Sequence, residues 1–72
     1  MAKRELGLKI RKCRTKLGLS QRELAQRLNV TPQAVWYWEH HYRVPNLKNV
    51  WDLCNALAIP FDEMVAVYSS MI

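Results

Sequence analysis

Residues 18–39 read GLSQRELAQRLNVTPQAVWYWE, a segment that contains the start signals of two short helices. Ser20 and Glu23 have the spacing of a capping box, which is typical of a helix N-terminus. Thr31 followed by Pro32 marks a second start, because proline at the first helical position loses no hydrogen bond. Two helices of about eight or nine residues, joined by a turn of about three or four, predict a helix-turn-helix unit at about residues 20–40.

Apolar residues at helical spacing predict three further helices around this unit. Gly18 ends the first helix, Asn46 caps the start of the fourth, and Pro60 begins the fifth. The residues predicted to face inward are Leu6, Ile10, Cys13 and Leu17 in the first helix, Leu24, Ala25 and Leu28 in the second, Val35 and Trp38 in the third, and Leu47, Val50, Leu53, Cys54 and Leu57 in the fourth. No alternating strand pattern persists along the chain. The sequence therefore predicts an all-α fold, a compact five-helix domain that spans residues 1–72.

The charge of the chain points to a polyanionic partner. Its 72 residues include 11 Lys and Arg but only 6 Asp and Glu, which gives a net charge of +5. Most of the basic residues lie in the first helix, and nucleic acid is the usual partner of such a basic segment. A solvated amphipathic helix would have the same composition, so charge alone leaves both interpretations open.

Several function classes are not expected from the composition. Cys13 and Cys54 occupy apolar positions and are interpreted as small buried hydrophobes of a reducing compartment. No stretch has the roughly 20 apolar residues of a membrane span, and no secretory signal is recognised. No phosphate loop, spaced metal ligands or nucleophile–histidine pair occurs, so we expect no enzyme activity, no metal, no cofactor and no small-molecule ligand. The expected location is the cytoplasm, either of a bacterium or of a phage-infected host.

The segment 18–39 resembles the phage-repressor and Cro-like (Cro/C1-type, XRE) helix-turn-helix family. The resemblance continues through residues 45–64, PNLKNVWDLCNALAIPFDEM, and covers roughly residues 6–66. The residues that fall in register with the family are Gln21, Ala25, Val30, Val35, Trp38 and Glu39. The resemblance implies a lambda-repressor-like domain and a sequence-specific regulator of transcription. In its simplest form this is a Cro-like repressor that binds a near-palindromic double-stranded DNA operator as a homodimer.

The resemblance and the positions of residues on the predicted helices together give candidate roles to individual residues. Those expected to contact the DNA backbone are Ser20, Gln21, Arg22, Thr31, His40 and Arg43. Those expected to read bases from the third helix are Pro32, Gln33, Trp36 and Tyr37. A glutamine amide suits adenine, whose N6 and N7 atoms pair with it in a bidentate manner. Gln21 is also a candidate to brace a base-reading side chain. Arg14 and Glu39 are expected to form a partly buried bidentate ion pair that holds the third helix.

The sequence departs from the family at several positions. Large aromatic residues at 36 and 37 replace small or polar ones, and they either contact thymine methyls and deoxyribose or pack on protein. His40 and His41 replace a polar residue and a glycine, so we expect the following loop to differ, since a left-handed histidine is strained. Ala58 replaces the glycine expected at the end of the fourth helix, which puts that cap in doubt.

An apolar tail suggests self-association. The candidate dimer contacts are Trp51, Val67, Tyr68, Met71 and Ile72. Packing at the rim of the core is the alternative for Trp51. Two other functions use the same kind of domain: a protein-interaction module that has lost its DNA face, and an antitoxin or restriction-modification controller.

Overall fold

The computed structural model describes residues 2–69, which form five α-helices. These are α1 (Ala2–Lys16), α2 (Gln21–Leu28), α3 (Pro32–Glu39), α4 (Leu47–Leu57) and α5 (Phe61–Ser69). Residues 2–69 contain no β-strand, and the predicted all-α fold is confirmed. Met71 and Ile72, two of the candidate dimer contacts, lie outside the described residues. Within the described range, no helix has the length and apolar character needed to cross a bilayer.

Side-chain caps define where the second, third and fourth helices begin. Ser20 Oγ accepts a hydrogen bond from the Glu23 amide at 3.0 Å, and Glu23 Oε1 accepts one from the Ser20 amide at 2.9 Å, which completes the predicted capping box. Thr31 Oγ1 accepts from the Ala34 amide, and Asn46 Oδ1 accepts from the Asn49 amide. Each cap satisfies an amide that the helix itself cannot pair, which typically contributes about 1 kcal/mol.

The core lies where α1 crosses α3 and α5 and where α2 packs on α3 and α4. Its fully buried apolar residues include Leu6, Ile10, Leu24, Ala25, Val35, Val50, Leu53 and Met64. Trp38, Leu28 and Leu57 are nearly as well covered. Most of the residues predicted to face inward are therefore in the core, because one face of each amphipathic helix is covered by a neighbouring helix.

Two of the predicted inward residues are not buried. Leu17 is 49% exposed and Leu47 is 58% exposed. Leu17 follows the last residue of α1, and Leu47 is the first residue of α4. Helical spacing gives the direction of a side chain, but at a helix end it does not say whether a neighbouring helix extends far enough to cover it. Cys13, on the predicted inward face of α1, is half-buried.

Within residues 2–69, three residues other than glycine have left-handed backbone: Asn29, His41 and Ala58, with φ of 57°, 66° and 55°. Asn29 ends α2, as its side chain allows, and Ala58 caps α4 without the glycine that the position favours. His41 has a left-handed backbone after α3, so this turn carries the strain that the sequence led us to expect of a left-handed histidine. An L-residue in this region costs roughly 1–2 kcal/mol, which the surrounding packing must offset.

Gly7 lets α1 approach the end of α3 closely. A Cβ atom at this position would lie 2.5 Å from the Trp38 carbonyl oxygen and 2.7 Å from His41 Nδ1. Both distances are shorter than atoms can approach without displacement, so only glycine allows this crossing. The contact sets how far the C-terminal end of α3 stands from the body of the domain.

Candidate nucleic-acid interface

The α3 helix has one buried and one exposed side. Val35, Trp38 and Glu39 are buried against α1 and α2, while Gln33 and Trp36 are exposed on the opposite side. Proline at the first position and the Thr31 cap fix where the helix begins. A short helix with its outer side uncovered can enter a groove of a partner.

An ion pair holds the last turn of α3 against α1. Arg14 Nε donates to Glu39 Oε2 at 2.6 Å, and Arg14 Nη2 donates to Glu39 Oε1 at 3.0 Å. Arg14 Nη1 also donates to the Leu19 carbonyl at 2.8 Å. The Glu39 side chain is fully buried, and its hydrogen bonds raise the pKa of Arg14 despite the opposing effect of burial. The fork geometry fixes the orientation of the helix as well as its position.

Gln21, the first residue of α2, joins this pair. Its Nε2 atom donates to Glu39 Oε1 at 3.2 Å, and the side chain is half-buried. Part of the amide of Gln21 is therefore used inside the protein, on Glu39 rather than on Gln33. Gln21 does line one shallow hollow with Pro32, Gln33 and Trp36, so the start of α2 lies beside the exposed face of α3.

Tyr37 links two exposed residues at the edge of α3. Its hydroxyl oxygen accepts a hydrogen bond from Gln33 Nε2 at 3.0 Å. The guanidinium carbon of Arg43 lies 4.7 Å from the centre of the Tyr37 ring, a cation–π distance. Tyr37 itself is half-buried, so a fixed ring separates two longer and more flexible side chains.

An aromatic cluster, composed of Trp36, Tyr37, His40 and Tyr42, covers the C-terminal half of the exposed face. The Trp36 ring stacks on His40 with centroids 4.0 Å apart and lies nearly parallel to Tyr42 at 5.7 Å. His40 Nδ1 is also 2.9 Å from the Trp36 carbonyl oxygen. Trp36 thus packs on its own helix and the following loop and keeps much of its surface exposed.

A cleft of about 490 Å³ opens between α3, the 40–46 loop and the start of α4. Its polar lining residues include Thr31, Gln33, Tyr37, Arg43, Asn46 and Asn49. Arg43 supplies a cation at this cleft, and the capped end of α4 supplies partial positive charge. The cleft is open and polar, as a seat for a charged backbone would be.

The remaining candidate DNA contacts are exposed at helix starts. The Ser20 and Thr31 hydroxyls accept capping hydrogen bonds from amides, and each retains its own O–H as a donor. Arg22 is exposed near the start of α2. Two other basic residues form ion pairs within the protein: Lys9 with Glu63, and Lys48 with Asp52.

The candidate dimer contacts divide between surface and core. Trp51 is 51% exposed, and its ring meets Phe61 edge to face with centroids 4.9 Å apart. Val67 and Tyr68 are half-buried and pack against the core. Leu47 lies one helical turn before Trp51 on α4, so these residues form an apolar patch (Leu47, Trp51 and Phe61).

The cysteines and histidines form no metal site within residues 2–69. No group of three or more His, Cys, Asp or Glu side chains there could hold an ion. Cys13 and Cys54 are free thiols, and burial raises the pKa of Cys54, which keeps it protonated.

Sequence analysis missed two residues of this region. Tyr42 completes the aromatic cluster, and Gly7 sets the distance between α1 and α3. An isolated glycine inside an amphipathic helix often signals a close backbone approach, so Gly7 could have been singled out. Tyr42 follows a left-handed residue, and its position could not be deduced from helical spacing.

Five helices, a tight turn between α2 and α3, and an α3 helix exposed on its outer side define a helix-turn-helix domain. This class of domain inserts its second helix into the major groove of DNA.

The chain matches the helix-turn-helix family model over residues 10–64, more than half of its length, and it belongs to that family. It is thus a DNA-binding transcription regulator by family, and neither the family nor the fold is that of an enzyme. The predicted resemblance to this family is confirmed.

Two solved structures of similar fold are those of the clp gene regulator ClgR from Corynebacterium glutamicum. One has a TM-score of 0.83 at 21% identity and covers 99% of this chain and 76% of that one. The other has a TM-score of 0.80 at 21% identity and covers 100% of this chain and 94% of that one. At this identity the likeness concerns the fold. A comparison with curated proteins found no match.

Proposed function

We propose that this chain is a sequence-specific regulator that reads double-stranded DNA through the exposed side of α3, most simply as a Cro-like repressor. The observation that carries the proposal is the attachment of α3. The buried Arg14–Glu39 pair fixes one side of the helix, and Gln33 and Trp36 stay uncovered on the other. A rigidly held helix with an amide and an aromatic ring exposed is suited to the major groove.

Base reading falls to the residues on that side. The Gln33 amide pairs with adenine, and the Trp36 ring contacts thymine methyls or the deoxyribose at the groove edge. Tyr37 adds its ring edge and hydroxyl, and Pro32 contacts the groove at the start of the helix. Adjacent A·T pairs in each half-site are the expected target.

Phosphate contacts surround this reading face on both sides. The O–H groups of Ser20 and Thr31, the remaining amide atoms of Gln21 and the Arg22 guanidinium bind one stretch of backbone at the helix starts. Arg43 and His40 bind the other, where Arg43 lines the cleft beside α4. Such contacts set position and register and carry no sequence information of their own.

A homodimer on a near-palindromic operator completes the proposal. The apolar patch on α4 and α5 supplies a surface for a second copy, and the half-buried residues Val67 and Tyr68 are further candidate contacts. Twofold symmetry would then set the two α3 helices about 34–36 Å apart, one turn of DNA.

The test is a selection from a random duplex library with the parent chain, Gln33→Ala and Arg43→Ala. Gln33→Ala should lose preference at one base position, because only that contact reads an edge. Arg43→Ala should weaken binding to all sequences alike and reduce the slope of log K against log salt by about 1. Identical selected sequences and identical affinities for all three chains would contradict the proposal.

A protein-interaction module is the second candidate, because Trp36 and Tyr42 expose aromatic surface. A salt titration separates the two. Binding to DNA through six or more phosphates should fall on the order of 1,000-fold between about 50 and 200 mM salt, because released counterions are replaced. An apolar protein interface should change little over the same range.

A further inference from the structure

The tyrosine at position 37 stands between the residue proposed to read a base and the residue proposed to hold a phosphate. Its hydroxyl accepts a hydrogen bond from Gln33, and its ring lies under the Arg43 guanidinium. All three residues line the same open cleft. Gln33 and Arg43 are exposed and have long side chains, whereas Tyr37 is half-buried and has few rotamers.

We propose that Tyr37 is a positioning residue: it orients the Gln33 amide for adenine and holds Arg43 toward the backbone. This inference rests on the proposed function of α3. It changes the role of Tyr37 from a direct contact with a base to the support of its two neighbours.

The Gln33–Tyr37 hydrogen bond determines which base edge the Gln33 amide can pair with. Because Nε2 donates one hydrogen to Tyr37, the amide has its Oε1 acceptor and one Nε2 hydrogen left for DNA. Adenine presents a donor at N6 and an acceptor at N7, which match these two groups. Guanine presents acceptors at both O6 and N7, so Gln33 Oε1 would face another acceptor.

The support for Gln33 comes from its own helix. Gln21, the other candidate brace, donates to Glu39 at 3.2 Å and is engaged in holding α3 itself. Tyr37 is one helical turn after Gln33 and is anchored by its half-buried ring and by the neighbouring Tyr42 ring. An amide oriented before binding has less rotamer freedom to lose on the DNA, which favours the matching base.

The test begins by locating the base that Gln33 reads. It is the position whose preference disappears in Gln33→Ala during selection from a random duplex library. Fluorescence anisotropy then gives the affinity for duplexes with adenine, guanine or 7-deazaadenine at that position. The chains compared are the parent, Tyr37→Phe and Tyr42→Phe. Tyr37→Phe removes the hydroxyl and keeps the ring beneath Arg43. Tyr42→Phe is the matched control, because the Tyr42 hydroxyl makes no hydrogen bond within residues 2–69 and its ring packs beside Trp36 and Tyr37.

The parent should prefer adenine over guanine and should lose affinity for 7-deazaadenine, which lacks the N7 acceptor. Tyr37→Phe should reduce the preference for adenine by about 2- to 10-fold, the net effect of one hydrogen bond. Its salt slope should equal that of the parent, because Arg43 keeps its support. Tyr42→Phe should keep the full preference. Circular dichroism and a melting curve check that each variant is folded.

Four results would overturn the inference. If Tyr37→Phe keeps the whole preference that Gln33→Ala loses, Tyr37 does not position the amide, although DNA binding stands. If Tyr37→Phe loses the same affinity for all bases, this role is also excluded. The same holds if the parent prefers guanine at the Gln33-dependent position. Both results leave the proposed function intact. Absence of any duplex binding by the parent at low salt refutes the proposed function itself, and the inference with it.

Discussion

Single residues set the geometry of this domain where backbones meet. Gly7 allows α1 to cross the end of α3 at a distance that no other residue permits. Next to it, His41 has a left-handed backbone, and its buried Nδ1 atom has no hydrogen-bond partner in the described part of the chain. The crossing therefore combines a close contact, a strained turn and an unsatisfied nitrogen at the C-terminal end of α3.

Gly7→Ala should destabilise the domain more than Gly18→Ala. The added methyl at position 7 would meet the Trp38 carbonyl at 2.5 Å, so α1 and α3 must separate, at a cost of roughly 2–3 kcal/mol. At Gly18 nothing lies within 4 Å of the added Cβ, and only the left-handed φ of 72° is penalised, by roughly 1 kcal/mol. Urea unfolding of both variants gives the comparison, and equal losses would argue against the close crossing.

At the scale of the elements, α3 is attached more firmly than its length suggests. An isolated helix of eight residues is unstable in water, so its order depends on contacts with α1 and α2. The Arg14–Glu39 pair, extended by Gln21 and the Leu19 carbonyl, supplies the polar part of this attachment. Val35 and Trp38 supply the apolar part.

Arg14→Ala and Glu39→Ala should each cost roughly 3 kcal/mol, because each strands a buried partner. The double variant should lose much less than the sum of the two, with a coupling of at least about 1 kcal/mol. Urea denaturation of the three variants and the parent completes the cycle. Additive losses would show that the two side chains do not act as a pair.

The capping box of α2 predicts how the stability of the domain depends on pH in the acid range. The hydrogen bond from the Ser20 backbone amide lowers the pKa of Glu23 below its usual range. A carboxylate whose pKa is depressed by folding stabilises the domain above its unfolded pKa of about 4.3, and this contribution is lost as the pH falls through the folded value.

Glu23→Gln should therefore flatten part of the loss of stability below about pH 4. Glutamine keeps an oxygen that can accept from the Ser20 amide, but it does not titrate. Urea midpoints measured from neutral pH into the acid range test this. Parallel curves for the parent and the variant would mean that the carboxylate does not contribute.

At the scale of the whole molecule, the basic first helix, the reading face and the apolar patch divide the surface into regions of different chemistry. Net charge of +5 favours approach to DNA and disfavours close contact between copies. The proposed pairing of two copies would therefore depend on the apolar patch of Leu47, Trp51 and Phe61. About half of the Trp51 surface remains available for that contact.

Trp51→Glu should weaken dimers and leave the helix-turn-helix intact. A carboxylate at the centre of an apolar contact loses its hydration without gaining a partner. Sedimentation of the chain, free and on a selected operator, should show two copies for the parent and one for the variant. Leu8→Glu on α1, an apolar residue that is 45% exposed, is the matched control and should behave like the parent. A parent that binds its operator as one copy would contradict the proposed dimer.

Local sequence patterns are enough to predict the helices, their order and most of the core. The capping box at Ser20 and Glu23, the Thr31–Pro32 start and the Asn46 cap act within a few residues, so local chemistry suffices to predict them. The spacing between Gln33 and Tyr37 is of this kind as well, since residues one turn apart on a helix are neighbours.

Packing between helices determines which helix ends are covered and which polar side chains are engaged inside the protein. Three features depend on where separate segments end relative to one another. They are the exposure of Leu17 and Leu47, the hydrogen bond from Gln21 to Glu39, and the position of the Arg43 guanidinium over the Tyr37 ring. Ala58 and His41 show the same limit, because core packing holds them in a backbone conformation that their own propensity disfavours. Distances between residues far apart along the chain follow from packing, which no local pattern encodes.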